Sequence, residues 1–240
     1  MSDDVLRVNI WSGPRNVSTA LMYSFAQRAD TRVVDEPLYA HYLRVSGADH
    51  PGRIEVLAAQ SQDGEAVVRD VILGPCDRPV VVFKQMAHHL VELDHAFLEQ
   101  TKNVLLTRDP ERMLASLSRV LPHPDVEETG LPEQVRLLRL LRELGQDAPV
   151  LDAKRLLADP RGVLTRLCES LGLEFEQGML HWEVGPRAED GVWSHHWYGN
   201  VHRSTGFQPY RDWGEPVPER LSGVLAECQP LYDELLAAAL

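Results

Sequence analysis

What most limits the fold of this chain is the alternation of short, almost wholly apolar runs with segments whose apolar residues recur at helical spacing. Pro79 to Lys84 carries Val80, Val81, Val82 and Phe83 without a polar break, the pattern of a strand covered on both faces, as in a parallel sheet. Leu6 to Trp11, Arg32 to Asp35, Asn103 to Thr107 and Val150 to Asp152 read as further strands. Helices fall between them. Asn16 is placed as the N-cap before Val17, Ala20, Leu21, Ser24 and Phe25, and Asp109-Pro110 opens a helix through Met113, Leu114, Leu117 and Leu121. Pro132 to Leu144 is amphipathic, Asp159-Pro160 starts a helix that Gly172 stops, and Pro218 to about Leu236 forms the last. Strand and helix in alternation predict an α/β fold, a doubly wound parallel sheet with helices on both faces. Ligands bind such sheets beyond the C-terminal strand ends, so residues just after strands are the functional candidates.

A length of 240 residues is enough for one large domain with a core that needs no staple. The organisation expected is a single domain over 1–240, with an irregular stretch at about 185–215 rich in Gly, Pro, Trp and His. A composition 44% hydrophobic and 25% charged excludes disordered, fibrous and membrane classes. No run approaches the ~18 apolar residues of a membrane helix, and the acidic opening Met-Ser-Asp-Asp is unlike a secretory leader. A cytoplasmic location away from membranes is the expectation. Cys76, Cys168 and Cys228 are too scattered for a disulfide framework or thiolate zinc site. The net charge of −12 argues against extended nucleic acid as a partner. A compact anion site is still allowed, and with only three lysines among 24 basic residues it would rest on arginine.

Ser12-Gly13-Pro14-Arg15-Asn16-Val17-Ser18-Thr19 joins the first strand to the first helix. Backbone N–H groups at a helix N-terminus, the hydroxyls of Ser18 and Thr19 and the guanidinium of Arg15 together suit a phosphate. A nucleotide-triphosphate P-loop counted from Gly13 would need glycine, lysine and a hydroxyl where Ser18, Thr19 and Ala20 stand. Metal-assisted phosphoryl transfer would lack its central cation, which makes a nucleotide-dependent phosphotransferase the weaker reading. A second candidate pair is Arg108, at the tip of the Asn103–Thr107 strand, with Ser116 eight residues beyond it.

Together these motifs resemble those of the PAPS-dependent sulfotransferases, which take the sulfuryl group from 3′-phosphoadenosine-5′-phosphosulfate. Pro14-Arg15-Asn16-Val17-Ser18-Thr19 is similar to that family's Pro-[Lys/Arg]-Ser-Gly-[Ser/Thr]-Thr loop for the 5′-phosphosulfate, and Arg108 and Ser116 are similar to its pair for the 3′-phosphate. The resemblance runs from about residue 5 to 175 and implies a three-layer, P-loop NTPase-like sulfotransferase architecture. It also implies PAPS as co-substrate, no metal, and a small-molecule hydroxyl or amine acceptor. Asn16 and Val17 depart from the family's serine and glycine, so the loop must avoid positive φ at Val17 or accept strain there.

For the chemistry, Lys84 and Arg15 are the cations expected to stabilise the leaving phosphate. His88 and His89, two and three residues past the family's usual histidine, and Glu36 of Val34-Asp35-Glu36-Pro37 compete as proton acceptor, with Asp35 less favoured. Arg203 to Phe207 loosely resembles the family's C-terminal loop, which makes Arg203 a further candidate donor contact. His195, His196 and His202 raise the question of zinc, but adjacent histidines point differently and no acidic or thiolate ligand is regularly spaced with them. The acceptor pocket is assigned to Tyr39–Asp49 and the late loop. A non-catalytic binding or dimer module is the alternative from another class, and homodimer formation is open.

Overall fold

The computed structural model describes residues 5–210 and 216–240. Five parallel strands, β1 (Leu6–Ser12), β2 (Thr31–Asp35), β3 (Val80–Met86), β4 (Lys102–Thr107) and β5 (Val150–Asp152), form one sheet in the order β2-β3-β1-β4-β5. The helices are α1 (Ser18–Phe25), α2 (Tyr39–Ser46), α3 (Arg53–Ala59), α4 (Gly64–Val67), α5 (Pro110–Leu117), α6 (Leu131–Glu143), α7 (Ala153–Ala158), α8 (Pro160–Leu171), α9 (Ser194–Trp197) and α10 (Ser222–Ala237).

The apolar strands are covered on both faces, as their composition requires. Val8, Ile10, Val80, Val82, Val104 and Leu106 pack with Leu21 and Phe25 of α1 and Leu164 and Leu167 of α8. Alternate residues Trp11, Val81, Phe83 and Leu105 face the opposite layer, with Met113 of α5, Leu138 of α6 and Leu235 of α10. This is the expected three-layer α/β architecture. β1 lies centrally between β3 and β4, so the chain reverses its direction of travel across the sheet at the tip of β1, and a crevice opens there.

Local signals hold at several boundaries. The carboxylate of Asp109 accepts from the Glu111 N–H at 2.8 Å with Pro110 in the first turn of α5, and Gly172 ends α8 with φ 75°. Others differ. Val17, not Asn16, is the N-cap residue of α1. α5 ends at Leu117, short of Leu121, and α10 starts at Ser222 after a 3-10 turn over Glu219–Leu221. The 185–215 stretch is not structureless in its described part: it holds α9 and a 3-10 turn over Val201–Arg203, while 211–215 lie outside the described residues. Among the described residues no helix is long and apolar enough to cross a membrane.

Candidate active site

Because every strand is parallel, the segments after β1, β2, β3 and β4 emerge along one edge, and the candidate residues gather there. Arg15 adopts φ 55°, the left-handed region that a residue with a Cβ seldom enters. Val17, at φ −91°, avoids it. The twist at Arg15 points its carbonyl at Arg108, whose guanidinium donates to it, while Arg15 Nε donates to Ser116 Oγ at 3.0 Å. The loop after β1 and the segment after β4 are thus joined by side chains 93 and 101 residues apart in sequence. Strain held by surrounding contacts in this way is typical of sites prepared for a ligand.

A cleft of about 600 Å³ opens beside this junction, lined by Val17, Arg108, Ser116, Arg119, Lys154 and Arg203 among others. Its charged lining is mostly basic, with Asp109 the one carboxylate among the described lining residues. Burial lowers the pKa of Arg15, and Arg119 lowers it further; burial followed by the charge of Arg15 does the same to Arg108. Part-buried guanidiniums with further arginines near them mark a place where an anion is favoured. Arg203 Nη2 donates to Asn200 Oδ1 at 2.7 Å at the cleft's rim. Ser18 and Thr19 stand in the first turn of α1, as expected, with Ser18 buried. Asn16, expected among the anion donors, instead joins two backbones: Nδ2 donates to the Leu106 carbonyl and Oδ1 accepts from the Val17 N–H, both at 2.8 Å.

Lys84 also lies elsewhere than expected. Asp35 and Lys84 are register partners on β2 and β3, so their side chains leave the same face of the sheet. The ammonium is 3% exposed and donates to Asp35 Oδ1 at 2.9 Å, to Tyr198 Oη at 2.6 Å and to Glu36 Oε1. An ammonium has three protons, and all three have acceptors. Lys84 is therefore a buried partner of carboxylates and not a cation presented to the cleft. Burial works against its charge, but Asp35 and Glu36 outweigh it and raise its pKa well above the ordinary lysine value. Burial raises Glu36, only partly countered by Lys84. Glu36 takes φ 37°, with its N–H donating to the Lys84 carbonyl at 2.8 Å, a turn that folds its carboxylate back onto Lys84.

The Tyr198 hydroxyl accepts from Lys84 and from Trp193 Nε1 at 3.1 Å and donates to Asp35 Oδ2 at 2.7 Å. The Gly191 N–H reaches the same Asp35 oxygen at 3.0 Å. The late segment is thereby seated on the tips of β2 and β3. Tyr198→Phe removes the hydroxyl that joins these groups and is expected to lower the unfolding free energy by about 1–3 kcal/mol in urea melts, the scale for leaving buried polar groups unsatisfied.

His88 and His89 follow β3 in a 3-10 turn, Ala87–His89. His89 is 1% exposed and stacks on Tyr39 and Tyr42, with ring centroids 5.0 and 4.7 Å away. His88 meets Tyr42 edge-on at 5.0 Å and borders the first loop through Gly130: a Cβ there would lie 3.6 Å from His88 Nδ1 and 3.2 Å from Gly13 Cα. The buried Nδ1 atoms of both histidines have no protein hydrogen-bond partner. Burial pushes His88 down to about 3, with a smaller contribution from the charge of His50, and holds His89 well below the ordinary range, so both are neutral imidazoles.

Comparison with known proteins gives the family and the fold. A family model described as a sulfotransferase domain matches residues 6–239. The chain belongs to the sulfotransferase-domain family. Two Arabidopsis thaliana relatives, branched-chain-amino-acid aminotransferase-like proteins 1 and 2, are 41% and 38% identical over 229 residues, which is 95% of this chain and 41% of each of theirs. The chain thus spans about two-fifths of the length of these curated relatives. Among solved structures, the sulfotransferase domain from the curacin biosynthetic pathway aligns with TM-score 0.55 at 16% identity, covering 97% of this chain and 98% of that one. The sulfotransferase from Alicyclobacillus acidocaldarius aligns with TM-score 0.55 at 15% identity, covering 97% and 94%. These two likenesses show the fold.

Within this sulfotransferase-domain chain, sequence reasoning missed Tyr198 and Trp193 as residues holding the site and Tyr39 and Tyr42 as the walls around His89. Aromatic enrichment of the late loop was the one available signal. Nothing in the spacing could say that Tyr198 would meet a lysine 114 residues earlier.

Proposed function

We propose that this chain transfers a sulfuryl group from 3′-phosphoadenosine-5′-phosphosulfate to a hydroxyl or amine of a small-molecule acceptor. The observation that carries the reading is the meeting of Arg15, Ser116 and Arg108 beside one cleft, where burial lowers the pKa of both arginines. A doubly phosphorylated nucleotide supplies negative charge at both ends, and the cleft is lined by Arg108, Ser116, Arg119, Lys154 and Arg203, with Val17 of the first loop at its wall and Arg15 joined to Arg108 and Ser116 beside it.

In the reaction, the acceptor oxygen or nitrogen forms a bond to sulfur as the bond from sulfur to the 5′-phosphate oxygen breaks. That oxygen leaves with the electron pair, as 3′-phosphoadenosine-5′-phosphate. Arg15, not the buried Lys84, is the cation that stabilises this charge. The acceptor's proton passes to His88. His88 is favoured because its ring borders the Gly13–Pro14 edge of the donor loop and carries an unpartnered nitrogen. Glu36 already accepts from Lys84, and His89 is enclosed by Tyr39 and Tyr42. No step needs a metal ion.

The test is calorimetry with 3′-phosphoadenosine-5′-phosphate and adenosine-5′-phosphate. Arg108→Ala is expected to weaken the bisphosphate about a hundredfold, as loss of one or two charge-assisted hydrogen bonds predicts, and the monophosphate by much less. Equal losses, or no binding of the bisphosphate to the unaltered protein, would overturn the reading.

A further inference from the structure

Glu55 of α3 and His195 and His196 of α9 come together on the surface, with one potential ligand atom from each lying within 4.8 Å of the others. Sequence spacing gave the two histidines no acidic partner; the fold supplies one 140 residues away. Three details make this more than a chance cluster. First, His195 Nδ1 is 2.9 Å from the Val192 carbonyl. A carbonyl can only accept, so Nδ1 carries the proton and Nε2 is the ring atom left to face a ligand. Second, that Nε2 is 3.7 Å from Glu55 Oε2. That separation is too long for a hydrogen bond and leaves room for a shared ion. Third, the His196 ring lies against Gly52 just before α3, where an added Cβ would be 3.0 Å from Cδ2 and 3.2 Å from Nε2. The ring thus packs closely on the backbone at Gly52, whose φ of 78° favours glycine.

We propose that Glu55, His195 and His196 form a zinc site that clamps α9 to α3, independently of the sulfotransfer reading. Two imidazoles and a carboxylate are a donor set for borderline divalent ions, with water in the fourth position of a tetrahedron. The Val192 carbonyl is the outer partner that fixes ring orientation and tautomer, as backbone carbonyls do for zinc-bound histidines. Exposed side chains need only small rotations to close the remaining distance to a shared ion. The clamp matters because α9 lies between Trp193, which packs edge-on to Tyr39 at 5.1 Å, and Tyr198, which binds Lys84. Zinc at this point holds the late segment over the aromatic wall around His89.

Tag-free protein, stripped with a chelator, is titrated with zinc chloride against a chromophoric zinc indicator at pH 7.5. One zinc per chain is expected, and His196→Ala and Glu55→Gln should each weaken it by more than tenfold, since loss of a direct ligand costs at least as much as loss of an outer partner, about 10–100-fold. Cobalt in place of zinc should give the visible bands of a tetrahedral ion. Zinc should also slow backbone hydrogen exchange across 194–197. Zinc that does not bind, or that binds equally well to His195→Ala/His196→Ala, overturns the site. Zinc that binds without protecting 194–197 overturns the clamp.

Discussion

Lys84→Met is expected to lower the unfolding free energy by about 3–5 kcal/mol, the scale for removing one partner of a buried ion pair. Methionine fills most of the lysine's volume but leaves Asp35, Glu36 and Tyr198 without the ammonium they surround. Against a total stability of about 5–15 kcal/mol, that loss leaves a marginal fold. The deficit must also depend on pH. Burial already raises the pKa of Glu36 above the ordinary carboxylate value while Lys84 lowers it, so removing Lys84 raises it further. A group whose folded pKa lies above its unfolded one binds its proton better when folded, so stability is retained at low pH and lost as pH rises toward the folded value. The variant should therefore regain stability relative to the unaltered protein between pH 8 and pH 5, and Lys84→Met/Glu36→Gln should recover part of the loss at pH 8. Urea melts at the two pH values measure this. A deficit below about 1 kcal/mol that does not change with pH, closer to an exposed ion pair, would refute the buried network.

The same residues show how far the sequence could be read. β3 and β4 were visible because a strand buried on both faces is rich in consecutive apolar residues, while β1, β2 and β5 showed shorter apolar stretches bounded by turn residues. α2 and α3 left no such trace. Tyr39–Ser46 buries Tyr39, Ala40, His41 and Leu43, a mixed set, and Arg53–Ala59 buries only Val56 while Ile54 is 84% exposed. Helices that hold a pocket wall need not show a clean apolar stripe. In the site, the positions of Arg15 and Arg108 were legible because each follows a strand at the ligand edge, and Ser116, near the end of α5, only through its spacing from Arg108. The destination of Lys84 was not. It depends on the register that pairs Asp35 with Lys84 across β2 and β3, and register is a property of two strands together. Asn16 failed for a related reason: its amide found the Leu106 carbonyl on a neighbouring strand, a partner no local pattern announces.

His88→Asn is expected to reduce kcat about 10²–10⁴-fold, the range for loss of a positioned general base, with binding of 3′-phosphoadenosine-5′-phosphate little changed. Asparagine keeps polarity near the Gly13–Pro14 edge but cannot take the proton. The pH profile separates this role from a structural one. Burial, with a smaller contribution from His50, holds His88 down to about 3, so the free protein presents a neutral imidazole at neutral pH. Its kcat/KM should show no acid limb near the ~6.5 of an ordinary histidine. So weak a base is inefficient unless its pKa rises in the complex, and an anionic donor beside the Arg15 loop has the sign that raises it. The acid limb of kcat, which reports the bound state, should thus lie at higher pH than that of kcat/KM. A limb near 6.5 in kcat/KM that survives in His88→Asn would assign it to another group. If Glu36→Gln abolishes turnover while His88→Asn does not, the proton goes to the carboxylate, and the Lys84 pair must then open during the reaction.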